Sequence, residues 1–167
     1  MRDLEFGRDG MKKLSVLIIG TVLMSGCTTA PPTEVSATRG LLICEPNSIC
    51  PIVKVKWNEQ DKSTLKVDVT LENPTTSYDI QRIVFDNGQK TQSFKPTEAT
   101  RQQFILSNYR SSSTILTPVN IMAELTGTDS ISMQIITDKG SIRRYIYHDG
   151  QASSAYRQFI QAYPHTQ

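Results

Sequence analysis

"TLKVDVTLENP", residues 64–74, alternates apolar and polar side chains until it meets an Asn-Pro break. Leu65, Val67, Val69 and Leu71 fall on one side of an extended chain, and Lys66, Asp68, Thr70 and Glu72 on the other. This period of two predicts a strand with one buried face and one wet face. Upstream, Ile52 to Trp57 reads as a preceding strand. Downstream, Tyr78 to Phe85 reads as another, and Asp86-Asn87-Gly88 supplies a tight hairpin turn into Lys90 to Phe94. These four segments predict an antiparallel meander. The stretch from Thr97 to Tyr109 suits a buried strand or a short helix equally well, because Phe104, Ile105 and Leu106 are consecutive. Thr117-Pro118 is expected to open a short helix that Gly127 ends. Ile131, Met133 and Ile135 alternate again, Asp138-Lys139-Gly140 turns the chain, and Ile142 to Tyr147 returns as the second hairpin. Last, Ser153 or Ser154 can cap a helix in which Tyr156, Phe159, Ile160 and Tyr163 share a face, with Pro164 as its stop. The fold class expected is α+β and β-rich: a meander and a second hairpin forming a sheet or a sandwich, with a short internal helix and a C-terminal helix packed on it.

The start of the chain carries a different pattern. From Met11 it reads Lys12-Lys13, an uncharged stretch from Leu14 to Met24, then Ser25-Gly26-Cys27. A basic head, an apolar middle and small residues before a break make an export signal. The apolar run is about eleven residues, whereas a membrane-spanning helix needs roughly 20, so a permanent span is disfavoured. The lead-in MRDLEFGRDG is too acidic for a signal head, which makes Met11 the expected start. Residues 11 to 27 resemble bacterial lipoprotein precursors, whose peptidase cuts before a cysteine that then carries diacylglycerol; Met24 stands where those precursors usually carry leucine. The resemblance implies a signal peptide over residues 1–26, lipid (diacylglycerol and palmitate-type acyl chains) on Cys27 and membrane attachment through that lipid. Thr28, in place of aspartate, implies the outer membrane, with the protein facing the periplasm. Several acyl chains hold a protein on a bilayer almost permanently.

Residues 27–43, rich in Thr, Ser, Ala and Pro, read as a lipidated flexible linker; residues 44–163 as a single globular domain; residues 164–167 as a tail. After removal of the signal, a chain of about 140 residues is enough for one core and short for two. Cys44 and Cys50 enclose Pro46-Asn47-Ser48 and are expected to form a structural disulfide in an oxidising compartment. The spacing is not that of a C-x-x-C redox pair, and no nearby ligands suggest a metal site. One lipid acceptor and one bridge leave no odd thiol.

The formal net charge of +2, smaller once the basic leader is gone, argues against a nucleic-acid binder and against a polybasic grip on anionic lipid. Catalytic groups are sparse. His148 and His165 are the histidines, one in a turn and one in the tail, and no nucleophile elbow, phosphate loop or zinc-protease motif is present, so neither enzyme chemistry nor a cofactor is expected. The discordant feature is the strand SIRRYIYH, where Arg144 shares a side with Ile142 and Ile146, and Arg143 with Tyr145 and Tyr147. If the isoleucine side is the core, Arg144 must be paired or reach the edge. Arginine and tyrosine are enriched in interfaces, so Arg143, Arg144, Tyr145 and Tyr147 are candidate interaction residues. The function expected is a non-enzymatic binding or assembly role in the cell envelope, with an envelope protein as partner. The alternatives are a periplasmic carrier or sensor of a small ligand, and an envelope hydrolase, for which Asp138, Asp149 and Glu124 would have to share a cleft.

Overall fold

The computed structural model describes residues 35–163. The signal segment, Cys27, residues 28–34, and the tail with His165 lie outside the described residues.

The alternating stretch forms the centre of the fold. Strand β3 (Thr64–Asn73) buries Leu65, Val67, Val69 and Leu71, each such side chain contributing roughly 1.5–3 kcal/mol relative to exposure. It lies between β2 (Ile52–Asn58) and β7 (Asn108–Pro118), with β1 (Val35–Leu41) outside β2 and β6 (Arg101–Ile105) outside β7. All are antiparallel, giving sheet A the order β1-β2-β3-β7-β6. Sheet B has the order β10-β9-β8-β4-β5, from β4 (Ile80–Asp86), β5 (Thr91–Phe94), β8 (Ser130–Thr137), β9 (Gly140–His148) and β10 (Gln151–Ala152). The two inner faces share one apolar core that includes Val53, Trp57, Leu71, Ile83, Phe85, Ile115, Met133 and Ile135. The molecule is thus a β-rich sandwich with two short helices, α1 (Ile121–Leu125) and α2 (Ser154–Ala162).

Three details depart from the reading of the sequence. The four strands expected as one meander divide between the sheets: β2 and β3 pair, β4 and β5 pair, and β3 gives its other edge to β7. The switch follows the Asn-Pro break, where the Asn73 side chain accepts hydrogen bonds from the backbone amides of Thr75 and Thr76. The segment 97–109 resolves as β6 and the turn into β7, and Thr117-Pro118 ends β7 rather than capping a helix. Finally, residues 35–41, placed in the linker by composition, are β1. This strand buries no side chain. Its stability comes from the backbone ladder to β2 and from α2 lying against it.

That helix closes one side of the sandwich. Ser153 caps it by accepting from the Tyr156 amide, and Ala155, Phe159 and Tyr163 form its buried stripe. The rings of Phe159 and Tyr163 meet Trp57 edge-on at 5.9 and 5.2 Å. Gly40 on β1 lets the helix approach: a Cβ there would stand 2.3 Å from the Ala155 backbone nitrogen. Just beyond, Ile43 bridges to Tyr145 on β9, and Cys44 and Cys50 form the expected disulfide.

Candidate functional site

The residues singled out on β9 serve mainly to fasten this corner. Ile146 is buried, so the isoleucine side faces the core. Arg144 reaches the edge, its Nε donating to the Ile49 carbonyl at 3.0 Å and another guanidinium nitrogen donating to the Arg143 carbonyl at 2.6 Å. Arg144 thereby ties the disulfide loop to sheet B. Tyr145 stacks on His148 with ring centres 4.1 Å apart, and Tyr147 leans on Tyr156 of α2. Arg143 points to solvent. The three carboxylates that a hydrolase would need have separate neighbours. Glu124 takes Lys90, Gln92 and Asn120, Asp138 accepts from the Asp79 amide, and Asp149 lies 3.4 Å from His148.

A gathering of charged side chains lies elsewhere, on the outer face of sheet A. That face is concave and encloses an open trough of about 510 Å³ lined by Arg39, Lys54, Lys56, Lys66, Arg101 and Arg110, against the carboxylates of Asp68 and Glu98. Strand register explains the gathering. Inward-facing valines and Trp57 on β2 force Lys54 and Lys56 outward, and the same alternation on β3 turns out Lys66, Asp68, Thr70 and Glu72. Pairing then sets Arg39 of β1 directly across from Lys54, and Lys56 directly across from Lys66. Like charges facing each other across a ladder are destabilising, by roughly 0.2–1 kcal/mol per pair.

One carboxylate relieves part of this repulsion. Asp68 sits opposite Lys54, pairs diagonally with Lys56 at 2.5 Å and accepts a hydrogen bond from the Thr114 hydroxyl at 2.7 Å. Burial alone would raise its pKa, but the Lys56 and Thr114 hydrogen bonds and the charges of Lys56 and Lys66 outweigh that, and the carboxyl is held below its ordinary value. On the far side Arg110 pairs with Glu72 at 2.7 Å. Among the described residues Arg39, Lys54, Lys66 and Arg101 make no ion pair closer than 4.0 Å. Between the two basic flanks the floor of the trough holds hydroxyls around the Asp68 carboxylate: Thr70 and Ser112 oxygens lie 3.0 Å apart, and Thr114 donates to Asp68.

Sequence reasoning missed this site because lysines alternating with valines read as an ordinary solvated face. The signal was present in KVKW (54–57) and TLKVDV (64–69), but strand partners are needed to bring the cations together.

A second exposed feature is the β6–β7 turn. Leu106 is 91% exposed and adopts φ 48°, followed by Ser107 at φ 64°. Left-handed backbone is unusual for leucine. The neighbouring rings of Phe104 and Tyr109 touch, with centroids 4.9 Å apart.

Among the described residues no cluster of histidine, cysteine and acidic side chains could hold a metal, and no helix is long and apolar enough to cross a membrane. Comparison with protein-family models, curated proteins and solved structures finds no match.

Proposed function

We propose that this chain is a lipid-tethered, non-enzymatic binding module of the bacterial envelope. Acyl chains on Cys27 hold it to the outer membrane on the periplasmic side, and the basic trough of sheet A engages an acidic envelope component. The observation that carries the second half is the pair of like-charge oppositions, Arg39 with Lys54 and Lys56 with Lys66, on one concave face. Such pairs weaken the free protein, and an anion laid over them removes the repulsion, so the face is suited to an external partner of negative charge. The export signal and the Ser-Gly-Cys junction support the first half. An envelope protein with an acidic surface and an acidic polymer are both compatible with this role.

Two experiments test the two halves. Cys27→Ser should move the protein from the membrane fraction to the soluble fraction; unchanged sedimentation with membranes refutes the tether. On a dextran sulfate column, the protein should elute at clearly higher salt than its Lys54→Gln/Lys66→Gln variant. Co-elution of the two would refute the trough as an anion site.

A further inference from the structure

We infer that the trough takes a linear acidic glycan, a chain of sugars bearing carboxylate, sulfate or phosphate groups. This rests on the reading of the trough as the binding surface and adds the class of ligand.

The layout of charge suits a chain better than a small anion. Arg39 on β1 and Arg101 on β6 belong to the two outermost strands of sheet A. Four inter-strand steps separate them, about 19 Å at the usual spacing. One phosphate or one monosaccharide meets a few of these cations, whereas a chain of several units can run along the trough from one flank to the other.

The floor separates a glycan from other polyanions. Between the flanks lie the hydroxyls of Thr70 and Ser112, which share one hydrogen bond and keep a donor and acceptor sites for a ligand, and that of Thr114, whose proton goes to Asp68 and whose oxygen can still accept. Sugar units carry hydroxyls beside their charges and need partners of this kind, whereas polyphosphate has no hydroxyls to satisfy along its length. No aromatic side chain lines the trough, so nucleic-acid bases find no ring to stack on. A bilayer surface is flat, and the hydroxylic floor is recessed between the flanks. Cationic flanks beside the Thr70 and Ser112 hydroxyls, with no ring in the trough, suit a charged sugar chain.

The test uses full-length protein in neutral detergent and titrates it with oligogalacturonates of two, four and eight units. Controls are polyphosphate of matched charge, an oligo-dT strand, neutral dextran oligomers and phosphatidylglycerol vesicles. Affinity should rise about tenfold or more from the two-unit to the eight-unit oligomer, and the eight-unit oligomer should bind about tenfold tighter than matched polyphosphate. Thr70→Val, which keeps the β-branched shape, should abolish that preference while leaving polyphosphate binding unchanged. If polyphosphate, oligo-dT or vesicles bind as tightly as the glycan, or Thr70→Val leaves the preference intact, the glycan assignment falls and the anion-binding role stands. If no anion binds and Lys54→Gln/Lys66→Gln changes nothing, both fall.

Discussion

Lys66→Thr separates a charge kept for binding from one kept for folding, because the two roles predict opposite signs. Lys66 is exposed, faces Lys56 across β2–β3 and faces Leu116 across β3–β7. Removing a like-charge opposition is worth roughly 0.2–1 kcal/mol, and threonine suits an exposed strand position at least as well as lysine. Against this, Lys66 also attracts Asp68, a term of a few tenths of a kcal/mol at most through water. The net expectation is a gain of about 0.5 kcal/mol at low ionic strength. With a urea slope of about 2 kcal/mol/M, the midpoint should rise by about 0.25 M. In 1 M salt, where the Debye length falls to about 3 Å, most of the electrostatic part should vanish. The same variant should bind the polyanion column more weakly. Urea unfolding followed through Trp57, the single tryptophan, measures the first effect, and salt elution the second. A lower midpoint for Lys66→Thr, or a gain that 1 M salt leaves untouched, would refute the electrostatic reasoning.

Other expectations follow from single contacts. Asp68→Asn should lower stability by about 1–2 kcal/mol, through loss of the Lys56 pair and a charge-assisted hydrogen bond, yet strengthen polyanion binding. Since folding holds the Asp68 carboxyl below its ordinary value, its stabilisation is complete above about pH 3.9 and is lost as pH falls through the lowered native value; acid unfolding of wild type and Asp68→Asn should therefore converge there. Replacing Cys44 and Cys50 together by alanine should cost about 2–2.5 kcal/mol on the chain-entropy estimate for so short a loop, read as a shift in the urea midpoint. Gly40→Ala, whose Cβ would strike the Ala155 backbone, should cost about 1–3 kcal/mol and red-shift Trp57 emission as α2 is pushed off its seat. Leu106→Asn should stabilise by about 1 kcal/mol, since asparagine tolerates the left-handed backbone of the β6–β7 turn; a drop in melting temperature would contradict that.

What could be read from the sequence was whatever declared itself by apolar period. The alternation of β3, the β8–β9 hairpin and Phe159 and Tyr163 of α2 carry side chains whose burial is written in their spacing, although Ile160, expected on the same helix face, is exposed. Strand β7 does not, although it is the longest strand and pairs with β3 along its length. Its inward positions include Ser111, Ser113 and Thr117, all buried, so hydroxyls stand where the pattern would show valines. Ser111 occupies its place partly because its oxygen accepts from the Tyr78 amide at the crossing between sheets. Strand β1 was hidden for the opposite reason: with no buried side chain it has no apolar signature, and it is held by its ladder to β2, the close seat of α2 at Gly40 and the Ser154 hydroxyl, which bonds the Leu41 backbone.

The trough was hidden by arithmetic on net charge. A total near zero is a difference between two populations, and the fold separates them in space. Cations on β1, β2 and β3 stand one or two strand spacings apart, within about 10 Å, which is the Debye length at 0.1 M salt, so they act as one charge on a ligand. Many of the balancing carboxylates, such as Asp79, Asp129, Asp138 and Asp149, lie outside sheet A, in the turns and connections of sheet B. At that remove the solvent screens them from anything lying in the trough. Neutralising Lys54 and Lys66 should therefore flatten the salt dependence of anion binding, whereas neutralising Asp138 and Asp149 should leave both affinity and salt dependence where they were. Equal effects from the two pairs would mean that net charge, and not its placement on sheet A, governs the interaction.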